Sequence, residues 1–328
     1  MEEFLKQAAE VGLKIKTNFP LCSVTTIGIG GPARWYCEIT NVEQLIRLVA
    51  LTRQFNVPFK VIGKGGNILF SDTGFDGLII HNQAAWLSLL PAKASLKKQP
   101  PLPEYLSQSN LTYQPVLVQV ASGMRLSALI NKLHKMGVVG LEYFAGIPAT
   151  IGGSIYMNAH GGPYFFGQFV QSARLFDGQN LKEVPADYFD FAYDYSKLQI
   201  TEEIIIDTAL CLWQGPVEAA QNFFRLWTKY KRNQPQKSAG CIFQNLSPEQ
   251  QQRLNLPTPS VGYFIDKLLH LKGVQKGGAR ISLAHAAFIE NLGHASANDV
   301  LWLINLVKNK ARTEFDIDLK LEIELIGF

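Results

Sequence analysis

Gly28-Ile29-Gly30-Gly31-Pro32-Ala33 formally spells the glycine fingerprint of a dinucleotide-binding turn, which requires a helix to open at its third position. The next residues, Arg34-Trp35-Tyr36-Cys37-Glu38-Ile39, form a strand-like run, so the Rossmann reading fails on context. Gly63-Lys64-Gly65-Gly66-Asn67 lies between strand signals at Val57–Ile62 and Asn67–Phe70, again strand–turn–strand. Three glycines in five residues let successive backbone N–H groups converge on an anion, a nest suited to a pyrophosphate, while a tight hairpin is the plainer alternative. Gly146-Ile147-Pro148-Ala149-Thr150-Ile151-Gly152-Gly153-Ser154 repeats the theme, with small residues that permit close backbone approach to a flat or phosphate-bearing ligand.

Around these turns the periodicity is mixed. Val42, Leu45, Ile46 and Val49 mark a helix over 42–55, with Asn41 and Gln44 as a capping box. Five prolines among Lys, Ser and Gln predict a surface loop or insertion over 91–115. A strand at Val116–Val120 and a helix over 125–136, stopped at Gly137, come next. Short strand signals run on to Trp213, and Gly215-Pro216 punctuates the chain as a domain boundary. Helices are predicted at 217–231, 248–254, 260–270 and 297–312, then a closing strand at 317–326. No internal repeat is visible.

The 328 residues are enough for two or three domains of about 100–200 residues each, and an apolar fraction of 47% excludes intrinsic disorder. The net charge of +4, without a like-charge block, does not point to nucleic acid. Cys22, Cys37, Cys211 and Cys241 are scattered, which argues against a disulfide framework or zinc site and for a reducing compartment. No signal peptide is recognisable, and no apolar run reaches the ~18 residues of a membrane span. Nucleophile-elbow, P-loop and HExxH patterns are missing, and the six histidines lack metal-ligand spacing.

Together the motifs resemble the UDP-N-acetylenolpyruvoylglucosamine reductases. The resemblance is carried by Thr25–Ala33, by Gly63–Asn67 with Ile68-Leu69-Phe70-Ser71-Asp72, and by Gly74-Phe75-Asp76-Gly77. It continues through Gly140-Leu141-Glu142, Gly146–Pro148, Gly152-Gly153 and Met157-Asn158-Ala159. Ser238-Ala239-Gly240-Cys241-Ile242-Phe243-Gln244-Asn245, Gly277-Gly278-Ala279, His285-Ala286-Ala287-Phe288 and Glu322–Gly327 complete it, so that it spans residues 19 to 327 in order.

The resemblance implies an α+β fold: a two-subdomain FAD-binding module of the vanillyl-alcohol-oxidase type, followed by an α+β substrate-binding domain. The expected bounds are an N-terminal extension 1–18, FAD-binding subdomains 19–82 and 83–214, and a substrate domain 215–328. It implies an oxidoreductase of peptidoglycan precursor synthesis in which hydride passes from NADPH through tightly bound FAD to C3 of the enol ether. A protein acid then protonates C2, giving UDP-N-acetylmuramate. A cytoplasmic monomer is expected, with a UDP-sugar substrate and no nucleic-acid or membrane partner.

By the same resemblance, the cofactor-binding residues are Thr26, Gly30, Gly63, Lys64, Gly65, Gly66, Asn67, Gly123, Gly146, Ile147, Pro148, Gly152, Gly153 and Asn158. Tyr193, Arg232, Asn245 and His285 are expected to bind substrate; no metal is expected. Cys241 matches the proton donor, in a shorter-loop subtype with Cys where many relatives have Ser, and the other three cysteines read as structural. A thiol, with a reference pKa of ~8.5, is a stronger acid than a hydroxyl and so preserves the role. In the closing segment, Leu319, Leu321, Ile323 and Leu325 alternate against Lys320, Glu322 and Glu324. Alternation does not separate Glu322 from Glu324; the family's closing motif selects Glu322, to stabilise charge developing at the reacting centre.

The segment after Asn158, with His160-Gly161-Gly162-Pro163, is irregular against the family pattern, and two single positions depart from it. Asp194 stands where the motif Phe191-Ala192-Tyr193-Asp194-Tyr195-Ser196 should carry an arginine for the substrate carboxylate, and Gln244 replaces a usual lysine. Arg232, Lys231 and Arg280 are candidate replacement cations. Two further readings stay open: a flavin- or nucleotide-binding homologue with impaired catalysis, and another FAD oxidoreductase of the same fold.

Overall fold

The computed structural model describes residues 2–90, 99–107 and 112–328. The chain divides into two compact α+β units, each assembled from separate stretches. The first is Met1–Lys16, Tyr36–Gly63 and Gly77–Lys231; the second is Thr17–Trp35, Lys64–Asp76 and Arg232–Phe328.

This division departs from the expected bounds. Residues 19–82 are shared between the units, and helix Glu218–Lys231 belongs to the first, so the change falls at Lys231/Arg232 and not at Gly215. Side-chain packing explains why: Ala220 is buried with Leu106, Val139 and Trp213, and Phe224 and Trp227 pack on the main core of the first unit. Phe223 stacks on Tyr105 with ring centroids 4.3 Å apart. The N-terminal residues are likewise more than an extension. Helix Glu2–Glu10 buries Phe4, which meets Phe55 edge-on at 6.1 Å.

The first unit is centred on strand Ile204–Gln214, whose residues from Ile205 to Trp213 are all buried. It pairs antiparallel with Gln114–Ala121 on one side and Val170–Phe176 on the other, so both its edges are covered. Pro115 is thus a strand residue opposite Trp213, and the strand takes the last two positions of the expected loop. Residues 91–98 and 108–111 of that loop lie outside the described residues, and Glu104–Ser107 forms a short helix. Helix Leu126–Lys135 lays Leu126, Leu129, Ile130 and Leu133 into the core and ends before Gly137, whose φ of +71° suits glycine. Helix Val42–Gln54 has the predicted Asn41 cap, with Gln44 N donating to Asn41 Oδ1 at 2.9 Å. The reciprocal bond is displaced by one residue: the Gln44 carboxamide oxygen accepts from Thr40 N, not Asn41 N.

The second unit packs helix Ala297–Phe315 with an antiparallel sheet ordered Ser238–Cys241, Phe288–Asn291, Ala279–Ile281 and Gln275–Lys276. Phe243, Phe264, Leu303 and Val307 lie in its core. Burying each such side chain stabilises by roughly 1.5–3 kcal/mol. The predicted Ser296 capping box forms with Asp299. Asp72, far earlier in the chain, takes the next two amides, accepting from Ala297 N at 2.7 Å and Asn298 N at 3.0 Å.

The closing strand is shorter than the alternation predicts. Only Glu324–Ile326 forms a ladder, parallel to Ile68–Phe70; before it Leu321 makes a single bridge to Phe243. Leu319 and Ile323 still point into the core, so their alternation records burial without continuous pairing. No helix among the described residues is long and apolar enough to cross a membrane.

Candidate active site

Four stretches of the second unit meet around the glycine turn after Gly63. Thr26 N donates to Gly65 O at 3.1 Å, and the Thr26 hydroxyl donates to Ser238 O at 2.6 Å. Gly65 has φ +60°, and a Cβ there would lie 2.3 Å from the Val24 carbonyl oxygen, so no other residue fits. The backbone amides of Lys64, Gly65, Gly66 and Asn67 donate to no acceptor among the described residues. Backbone donors in a half-buried turn need partners, and a run of four without one suits an anion.

Asn67 joins this turn to the end of the chain. Its side-chain Nδ2 donates to Glu322 O at 2.9 Å, and its own carbonyl accepts from Glu324 N at 2.9 Å. Glu322 N in turn donates to Ile242 O at 2.9 Å, and Gln244 N to Lys320 O at 3.0 Å. The residue before Ile242 is Cys241, half-buried opposite Phe288 in the sheet. Gly240, at φ +82°, closes the loop, with its Cβ position 4.0 Å from Gly66 O. Cys241, Glu322 and the unsatisfied turn therefore share one backbone framework. Cys37 and Cys211 are buried, and burial pushes each thiol up to about 11, whereas Cys22 is exposed, unlike the structural residue expected there.

The glycine segment of the first unit is used differently. Ile151 N donates to Met124 O, Gly152 N to Ser122 O at 2.7 Å, and Gly153 N to Thr150 Oγ1 at 3.4 Å. Close packing accounts for three glycines: Cβ atoms at Gly63, Gly123 and Gly152 would meet Thr150 Oγ1 at 2.3 Å, Ala84 N at 2.5 Å and Ser122 at 3.2 Å. Gly153 has no such reason, since its nearest neighbour is 3.6 Å away. Gly30 in the second unit packs on Phe70 at φ +142°. Gly146 has φ +81° beside the Lys231 side chain; Ile147 is half-buried, and Pro148 has no N–H to offer. Asn158, also left-handed at φ +46°, clamps its own neighbourhood, donating to Ala192 O at 2.7 Å and accepting from Gly167 N at 2.9 Å.

The residues expected at substrate divide between the units. In the second, Arg232 is exposed, Asn245 Oδ1 accepts from Val261 N at 3.0 Å, and His285 Nδ1 accepts from Ala287 N at 3.3 Å. Arg280 is committed to Glu290, with Nε and Nη2 at 2.9 and 2.7 Å from one carboxylate oxygen. In the first, Tyr193 is exposed and stacked on His160. In the sequence His160 stands out only through its segment's irregularity against the family pattern. The signal that could find it is Asp194, with which it pairs: a buried acid calls for a nearby hydrogen-bond partner.

Comparison with known proteins gives the family. Residues 232–326 match the family described as UDP-N-acetylenolpyruvoylglucosamine reductase, C-terminal domain, which is the long stretch of the second unit. UDP-N-acetylenolpyruvoylglucosamine reductase from Anoxybacillus flavithermus is 33% identical, across 99% of this chain and 98% of its own. The enzyme of that name from Bacillus subtilis is 32% identical, across 100% and 99%. The crystal structure of the reductase from Thermus caldophilus superposes with a TM-score of 0.71 at 29% identity, covering 96% of this chain and 99% of that one. The chain belongs to the UDP-N-acetylenolpyruvoylglucosamine reductase family.

Proposed function

We propose that the chain reduces UDP-N-acetylenolpyruvoylglucosamine to UDP-N-acetylmuramate, with NADPH as hydride source and a tightly bound FAD as carrier. This places it in the cytoplasm, in peptidoglycan precursor synthesis. The observation that carries the reading is the framework linking Asn67, Glu322 and Ile242, which brings Cys241 and Glu322 to one glycine turn.

The turn fits the flavin nucleotide. Four consecutive amides without an acceptor among the described residues, around a Gly65 that tolerates no side chain, form a cradle for a diphosphate. Lys64, Gly65, Gly66 and Asn67 would hold it, with Thr26 bracing the turn. When bound, the flavin supplies hydride for C3 of the enol ether.

The protein's own residues have two tasks. Hydride addition leaves negative charge on C2 and the adjoining carboxylate, so a proton must be held ready and the charge must be met by donors. Cys241 holds the proton at its Sγ; the sheet pairing to Phe288 and the neighbouring Gly240 turn fix its backbone. Glu322 stabilises the developing charge, and its backbone bonds to Asn67 and Ile242 set its position.

The test is direct. The purified protein should be yellow with flavin absorbance and should oxidise NADPH only when the enol ether is added. Colourless protein that cannot be reconstituted with FAD would sink the reading; yellow protein inert toward the enol ether would favour a binding-only homologue.

A further inference from the structure

Asn291, the last residue of strand Phe288–Asn291 in the second unit, is buried and commits its whole side chain to backbone groups. Its Nδ2 donates to Ile27 O at 2.9 Å and to Gly28 O at 3.5 Å. Its Oδ1 accepts from Gly293 N at 2.8 Å and from Ala295 N at 3.0 Å. Both hydrogens and both lone pairs of the carboxamide are thereby engaged, and a carboxylate in its place supplies only the accepting half. The amide lies against the Gly28 turn, at φ +69°, where a Cβ would stand 3.6 Å from Nδ2.

These bonds close a ring. Asn291 N donates to Lys237 O at 2.9 Å, and the next residue, Ser238, accepts from the Thr26 hydroxyl at 2.6 Å. After Thr26 comes Ile27, whose carbonyl returns to Asn291 Nδ2. Thr26 also leads out of the ring, since its N–H donates to Gly65 O in the glycine turn. It is thus held on its C-terminal side by Asn291, and through its side chain by the strand Ser238–Cys241. Ile27 and Ile29 are buried on either side of Gly28, but apolar burial is non-directional and does not aim the Thr26 N–H. The directional bond to Ile27 O does.

We infer that Asn291 is a positioning residue for the anion-holding turn Lys64–Asn67, acting through Thr26. The inference rests on the proposed flavin-binding role of that turn. It is tested by reconstituting deflavinated wild type, Asn291→Asp, Asn291→Ser, Thr26→Val and the double variant Asn291→Ser/Thr26→Val with FAD, beside a thermal melt of each. Asn291→Asp keeps the acceptor and loses the donor. Asn291→Ser keeps a hydroxyl that accepts from Gly293 N, adds no charge, and carries the test if Asn291→Asp does not fold. Each single variant should bind FAD roughly 3- to 10-fold more weakly, on the scale of one hydrogen bond. The double variant should lose less than the product of its two single losses, because both act on one loop. Ser247→Ala, which removes a helix cap in the same unit, should lower the melting temperature and leave FAD affinity unchanged. Wild-type FAD affinity in the folded Asn291 variants, losses that multiply in the double variant, or an equal loss in Ser247→Ala would overturn the inference. Failure of the wild type itself to bind FAD would overturn the functional reading, and this inference with it.

Discussion

The Asn67 side-chain amide donates to the backbone carbonyl of Glu322 at 2.9 Å, tying a turn early in the chain to a residue close to its end. Asn67→Ala removes the donor, a loss of about 1–2 kcal/mol of stability. Because Glu322 is also misplaced, turnover should fall further than stability. Urea denaturation alongside steady-state kinetics checks this; a stability loss with turnover unchanged would confine Asn67 to the fold.

Gly65 and Gly153 separate fold from ligand. Gly65→Ala forces a Cβ to within 2.3 Å of Val24 O at φ +60°, so the variant should be destabilised and should lose bound flavin. Gly153→Ala meets no atom closer than 3.6 Å, so its melting temperature should hold. If a flavin approaches Gly153 closely, that variant loses flavin while staying folded. Absorbance of the purified proteins beside their thermal melts reads both outcomes.

The Asp299 carboxyl is held below its ordinary value, first by the Ser296 backbone amide at 3.0 Å, with help from the Ser296 hydroxyl and Gly278 N. A depressed folded value means stability that is present above the unfolded pKa of 3.8 and is lost as pH falls through the folded value. Asp299→Asn should therefore flatten the acid limb of the stability profile. Denaturation midpoints between about pH 6 and pH 2.5 measure it, and an unchanged acid limb would assign that loss to other carboxylates.

Local chemistry is the most legible part of the fold. Ser296 with Asp299 and Ser247 with Gln250 form the capping boxes their spacing predicts, because each depends on only four consecutive residues. The unit boundary is not legible. Gly215-Pro216 is a true break between strand and helix, yet Ala220, Phe224 and Trp227 return the helix to the first unit through contacts that no local pattern encodes. Glu142 stands out in the sequence only as part of a family motif. It lies in a buried network, accepting from the Tyr105 hydroxyl and Gly140 N and paired with His134 at 2.8 Å.

At the site, residue types are legible and their purposes only in part. The glycines at 63, 123 and 152 do mark close approach, but the approaching atoms belong to Thr150, Ala84 and Ser122. The amides of Lys64–Asn67, whose glycine spacing suits an anion nest, are left without acceptors among the described residues. That His160 answers Asp194 depends on a separation of 34 residues, beyond any periodic signal.

The central claim is that Cys241 holds the proton delivered to C2, beside Glu322 and the glycine turn. Its most direct test is a single-turnover comparison of wild type with Cys241→Ala, in which the flavin band is first bleached with NADPH and the enol ether is then added. Both proteins should bleach alike; only the wild type should recover its colour and yield UDP-N-acetylmuramate, with Cys241→Ser retaining part of the rate. Product formation by Cys241→Ala at the wild-type rate would contradict the claim.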